Sequence, residues 1–113
     1  MTRKSLSIEA LSQESLKELA QLGSNIKIAR TRRRIKQSDM AERILVTEKT
    51  YRKIEAGDPS VSLGLFFHVL LVLNLEDDIL KIADPNTDTV GLMMEKRNMP
   101  KKIRNKVDKE LDF

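Results

Sequence analysis

The chain has 113 residues, 34% of them charged, with a formal net charge of +4, a size that suits one small domain with modest extensions. Cysteine is absent and histidine occurs once, at His68, which excludes disulfides, thiolate metal sites and any histidine cluster. The longest apolar run, LGLFFHVLLVLNL, is broken by His68 and Asn74 and falls short of the roughly 18–20 residues of a membrane span.

The N-terminus, MTRKSLSIEALSQ, carries no apolar leader, so a cytoplasmic protein close to the nucleoid, with no membrane partner, is expected. Charge is distributed unevenly. Residues 1–35 hold eight Lys/Arg against three Asp/Glu, and residues 58–92 hold one against six. Residues 93–113 return to seven against four. A basic front, an acidic middle and a basic tail suit different partners on different faces.

In chain order, residues 1–6 read as a frayed terminus. Residues 7–21 carry a weak helical pattern through Ile8, Leu11, Leu16, Leu19 and Ala20. Residues 22–34 form a better helix, with Ile26, Ala29 and Arg30 on one face. Arg30, Arg32, Arg33 and Arg34 load its last turn, where cations suit the helix dipole. Residues 37–45 are a short helix with a Met40, Ala41, Ile44 stripe. Thr47 is an expected N-cap for a helix over 48–56 that buries Tyr51 and Ile54, with Gly57 as its C-terminal stop. Ser62 caps a helix running to about Leu73, rich in Leu63, Phe66, Phe67, Leu70 and Leu71. A further short helix is expected over 75–83. After the turn at 84–88, residues 90–99 are helical until Pro100. Residues 101–113 are charged, have no core stripe and are expected to be mobile.

The stretch KQSDMAERILVTEKTYRKIEAG therefore holds two short helices joined by a tight turn. Small or apolar residues (Ala41, Ile44, Val46, Tyr51, Ile54) face inward and lock the helix angle. Glu48, Lys49, Arg52 and Lys53 face outward. That layout is a helix-turn-helix, whose second helix enters the DNA major groove.

Residues 22–76 resemble the XRE/Cro/C1 family of helix-turn-helix DNA-binding domains. The matching positions include Gly23, Gln37, Ala41, Val46-Thr47, Ile54-Glu55-Ala56-Gly57 and Pro59-Ser60. The resemblance implies an all-α, lambda-repressor-like five-helix domain, with an N-terminal helix and a C-terminal extension added. Its boundaries are expected at 1–21, 22–76 and 77–113. Two positions depart from the pattern. Arg34 and Leu45 stand where the family usually has glycine, and Leu45 is expected to give a turn of somewhat different shape.

The resemblance also implies roles. Thr47, Glu48, Lys49, Thr50 and Lys53 face base edges, with Glu48 accepting from cytosine N4 or rejecting other bases. Arg52 lies toward the backbone. Gln37 meets a phosphate or an outer base, and Lys36 and Arg34, where the chain departs from the family pattern, are expected to meet phosphates. Arg30 and Glu55 form an internal salt bridge, a structural rather than catalytic pair. The partner is double-stranded DNA with a pseudo-palindromic operator, bound by a homodimer. No catalytic constellation, metal ligand set or cofactor motif is present in the sequence, so neither an enzyme nor a cofactor is expected.

The tail resembles the extension of antitoxins of the HipB type, encoded beside HipA-type kinase toxins. Asp84, Pro85, Asp88, Gly91, Glu95, Lys96, Pro100, Lys101 and Arg104 carry that pattern. It implies an autoregulating repressor that assembles with a toxin kinase. Two other readings stay open. One is a stand-alone XRE regulator. The other is an interaction module that has lost DNA binding, favoured by Leu45 and Glu48.

Overall fold

The computed structural model describes residues 5–99. The expectations for residues 1–4 and for Pro100 and the tail beyond it lie outside them. The described residues are all-helical and form two compact units, divided between Ile79 and Leu80.

The first unit contains α1 (Leu6–Glu9), α2 (Gln13–Arg32), α3 (Gln37–Arg43), α4 (Glu48–Glu55) and α5 (Leu63–Val72). A 3-10 turn, Glu76–Lys81, spans the division and replaces the short helix expected over 75–83. The second unit holds α6 (Thr89–Asn98), opened by Asp88, whose carboxylate accepts from the Gly91 amide at 2.9 Å.

Helix starts follow local chemistry. Ser5, Ser12, Thr47 and Ser62 each accept a backbone N–H three residues on, at 3.1 to 3.2 Å. Each such cap contributes about 1 kcal/mol. Ser12 also corrects the expected division of residues 7–34. Helix α1 ends at Glu9, and Ser12 starts one unbroken helix, α2, which runs through residues 21 and 22. Nothing at that point interrupts the backbone ladder.

Helix ends follow one repeated design. At the C-termini of α2, α3, α4 and α5, a residue turns left-handed: Arg34 (φ 55°), Leu45 (φ 62°), Gly57 (φ 73°) and Asn74 (φ 59°). In each case the next amide reaches back five residues. Ile35 donates to the Arg30 carbonyl, Val46 to Ala41, Asp58 to Lys53 and Leu75 to Leu70. This is the Schellman closure, and it satisfies carbonyls the helix leaves open. Ile35, Val46 and Leu75 then drop onto the core.

The turn at Leu45 is therefore not of different shape. It takes the left-handed conformation that glycine favours, with a leucine in its place. That conformation costs a residue with a Cβ about 1–2 kcal/mol. Two closing hydrogen bonds, each worth about 0.5–1.5 kcal/mol net, together with the half-buried Val46, offset it.

The core joins Ile26 of α2, Met40, Ala41 and Ile44 of the α3 region, Tyr51 and Ile54 of α4, and Val69, Leu70 and Leu73 of the α5 region. Met40, Tyr51, Val69 and Leu73 are fully enclosed. Two glycines allow α2 to touch the end of α4 backbone to backbone. A Cβ on Gly23 would strike the Glu55 carbonyl and lie 2.7 Å from the Gly57 nitrogen. A Cβ on Gly57 would strike the Leu19 carbonyl and lie 2.7 Å from Ala20 Cα. Neither neighbour is a flexible side chain that can move aside.

Leu45 and Gly57 should respond in opposite directions. Leu45 is 88% exposed and buries almost nothing, so Leu45→Gly relieves backbone strain and should raise stability by about 0.5–1 kcal/mol. Gly57→Ala combines strain with a backbone collision and should lower it by about 2 kcal/mol or more. Urea melts of the two variants check both signs.

Candidate nucleic-acid interface

Helix α4 is divided between two environments. Tyr51 and Ile54 are buried, three residues apart on its inner side. Glu48, Lys49, Arg52 and Lys53 are exposed. The helix is pinned at its N-terminus by Thr47, whose hydroxyl accepts the Thr50 amide at 3.1 Å and donates to the Thr50 hydroxyl at 3.0 Å. The first turn is thus ordered before any ligand arrives, with Thr50 half-buried and Thr47 exposed.

Its C-terminal residue, Glu55, is the acceptor of a polar cluster drawn from three helices. Arg30 of α2 donates from Nε at 2.5 Å and from Nη2 at 3.1 Å to its two oxygens. Tyr51 donates its hydroxyl at 2.5 Å. Gln37, the first residue of α3, donates from Nε2 at 3.0 Å. Arg30 also donates from Nη1 to the Ile35 carbonyl at 2.8 Å, which ties down the α2–α3 junction. The side chains of Arg30 and Glu55 are almost wholly buried. The two residues pair as the sequence implies.

The electrostatics follow from that geometry. Burial penalises the Glu55 carboxylate, but the donors from Arg30, Tyr51 and Gln37 outweigh it and hold the acid below its ordinary value. Burial, then the hydrogen bond to Glu55, pushes the Tyr51 phenol well above its usual range. The bond to Glu55 raises Arg30 further.

The remaining expected positions are placed as follows. Arg34 and Lys36 are exposed in the α2–α3 junction. Lys36 is the N-cap of α3 by backbone geometry and makes no side-chain cap bond. Gln37 is half-buried. One of its two amide hydrogens goes to Glu55, which leaves the other as a donor. Arg33 bends back onto its own helix, donating to the Ala29 carbonyl at 2.8 Å. Arg52 approaches Glu48 at 3.9 Å on the exposed side of α4. Sequence reasoning took Tyr51 only as core and did not connect Gln37 to Glu55. The four-residue spacing of Tyr51 and Glu55 on one helix carried the signal for the first of these. The second is a contact across 18 positions, and no local pattern encodes it.

The family model described as helix-turn-helix matches residues 26–80. The match covers the last seven residues of α2, both signature helices, α5 and most of the 3-10 turn. Fold and match agree, and this segment is a helix-turn-helix domain of the XRE type, the DNA-binding domain of a transcription regulator. Neither the comparison with curated proteins nor that with solved structures returns a match. Among the described residues, no helix is long and apolar enough to cross a membrane.

Acid should weaken the domain through Glu55. A carboxyl with a lowered folded pKa contributes stability that is complete above its unfolded value, near 4.3, and is lost as pH falls through the lower folded value. Thermal melts from pH 7 to pH 2 should show that decline, and Glu55→Gln should flatten it. Arg30→Met, which leaves a buried carboxylate short of its cation, should cost about 3 kcal/mol at pH 7.

Proposed function

We propose that the chain is a sequence-specific transcriptional repressor that inserts the exposed side of α4 into the DNA major groove. The observation that carries this reading is the division of α4. Its inner side is locked by Tyr51, Ile54 and the Glu55 cluster, and its outer side offers Lys49, Arg52 and Lys53 beside a preformed cap. Lys49 and Lys53 reach base edges and Arg52 the backbone, with Thr47 and Thr50 at the groove floor. Gln37, held by Glu55, donates its second amide hydrogen to a phosphate, and Arg34 and Lys36 neutralise phosphates beside it. The protein works as a homodimer on a pseudo-palindromic operator with half-sites about one helical turn apart.

Autoregulation as an antitoxin paired with a HipA-type kinase is the finer form of this proposal. The pattern from Asp84 to Arg104 supports it, as do the exposed Val90, Met93 and Met94 of α6, a type of surface that suits a protein partner. Co-expression with a kinase encoded beside the gene tests it. A stable complex supports the antitoxin role, and failure to co-purify counts against it.

DNA binding is tested by fluorescence anisotropy on the duplex upstream of the gene, beside a shuffled duplex, from about 50 to 200 mM salt. The upstream duplex should bind more tightly and keep its advantage at the higher salt. Lys49→Ala with Lys53→Ala should weaken that binding by about 30-fold or more, at unchanged thermal stability. Equal and salt-fragile binding to both duplexes would overturn sequence-specific repression by the protein alone.

A further inference from the structure

We infer that two copies of this chain pair through the outward face of α5, antiparallel and centred on Phe67. The inference rests on the homodimer proposed above for its use, and names the surface that forms it.

Helix α5 reads LGLFFHVLLV, apolar on every side except at His68. A helix of that kind is normally enclosed. Here only one side is. Val69 and Leu70, with Leu73 just past the helix, are buried, and Leu65, Phe66 and Val72 pack against the core. Leu63, Phe67 and Leu71 do not belong to that cluster. They recur every four residues and so share one side of the helix. Leu63 is 69% exposed and Leu71 43%, with Phe67 half-buried between them.

Gly64 is exposed on the same side, next to Leu63 and one turn before Phe67. A Cβ placed there would meet nothing within 4 Å. Its backbone is not left-handed. The single chain thus has no use for glycine here, where alanine makes a better helix. A hollow between bulky neighbours does serve a second helix, whose side chain enters it as a knob enters a hole.

Charge and symmetry select a second copy as that partner. Residues 59–75 hold no Asp, Glu, Lys or Arg, in a chain that is 34% charged. A neutral face meets its own image without repulsion, and it offers DNA no cation. The stripe is also symmetric, with Leu63 and Leu71 four residues to either side of Phe67. A two-fold axis through Phe67 sets Leu63 against the partner's Leu71, and the two copies of Phe67 against each other. The partner's Leu71 then fills the hollow that Gly64 leaves between Leu63 and Phe67. A ten-residue helix is about 15 Å long and about 10 Å wide. Its face is smaller than the roughly 800 Å² per partner of a standard interface. The pairing is therefore weak and reversible, and an operator that holds two half-sites side by side completes it.

The test is sedimentation velocity of the full chain, without DNA, over a range of concentrations. Wild type should pass reversibly from monomer to dimer in the micromolar range. Leu63→Lys and Leu71→Glu each change an exposed side chain. Either alone should weaken the pairing by about tenfold or more at unchanged melting temperature. The double variant should recover most of the loss, because the antiparallel register sets each new cation against the partner's new acid. Within one chain the two positions are eight residues apart, too far to pair. Gly64→Ala should keep or raise the melting temperature of dilute protein and still weaken the pairing. Wild type that stays monomeric at the highest concentrations overturns the inference. So does a dimer that Leu63→Lys and Gly64→Ala leave unchanged. A double variant no better than either single, the outcome expected if α5 met a different protein, overturns it too. A chain that pairs in this way but binds neither duplex keeps the inference and loses the DNA-binding reading.

Discussion

One carboxylate fixes the arrangement on which the rest of the domain depends. Glu55, at the end of α4, receives Arg30 from α2, Gln37 from α3 and Tyr51 from its own helix. An ion brought out of water loses several kcal/mol of hydration, and only well-placed donors restore it. Four donor bonds do so here, and they are satisfied together only when three helices stand at one set of angles. The cluster's contribution is as much to uniqueness as to stability. Apolar contacts among Ile26, Met40, Tyr51 and Ile54 tolerate small rotations, whereas a shared carboxylate does not.

The helix junctions apply a second constraint. From α2 to α3 and from α3 to α4 the chain follows the same four steps: a cap, a left-handed residue, an apolar residue and an extended N-cap. Arg33, Arg34, Ile35 and Lys36 make the first junction. Ile44, Leu45, Val46 and Thr47 make the second. Each packs two helices tightly without glycine, at a backbone cost that the closing hydrogen bonds and the half-buried third residue offset. Where α2 meets the end of α4, glycine is required, because at Gly23 and Gly57 the neighbours are backbone atoms.

These constraints place the surface proposed to meet DNA. The inner side of α4 is immobilised, so its outer side is presented as a preformed row of cationic and polar groups. Gln37 is half-buried, with one amide hydrogen in the internal cluster. Rigid presentation matters for DNA readout because a bidentate base contact discriminates only at a fixed geometry. The loose Glu48–Arg52 pair is the contrasting element, held weakly enough to rearrange.

The starts of α3, α4 and α5, the identity of the two signature helices and the Arg30–Glu55 pair were legible in the sequence. Each depends on residues whose chemistry acts locally or in a recurring register: Ser or Thr before a helix, apolar residues three and four apart, Gly57 at a helix end. The left-handed Leu45 and Arg34 were not legible, because side-chain type argues against that conformation, and it is held by the closing hydrogen bonds and the packing of Val46 and Ile35. The continuity of α2 was not legible either, because residues 7–21 and 22–34 read as separate helices and the Ser12 cap that starts α2 was not recognised. The use of Gly23 appears only when α4 is laid against it. The sequence by itself determined the two signature helices and which of their residues are charged toward solvent, since both follow from short-range propensity and solvation. Tertiary structure alone decided how Gln37, Tyr51 and Arg30 share one acceptor, because that arrangement exists only once three helices converge on Glu55.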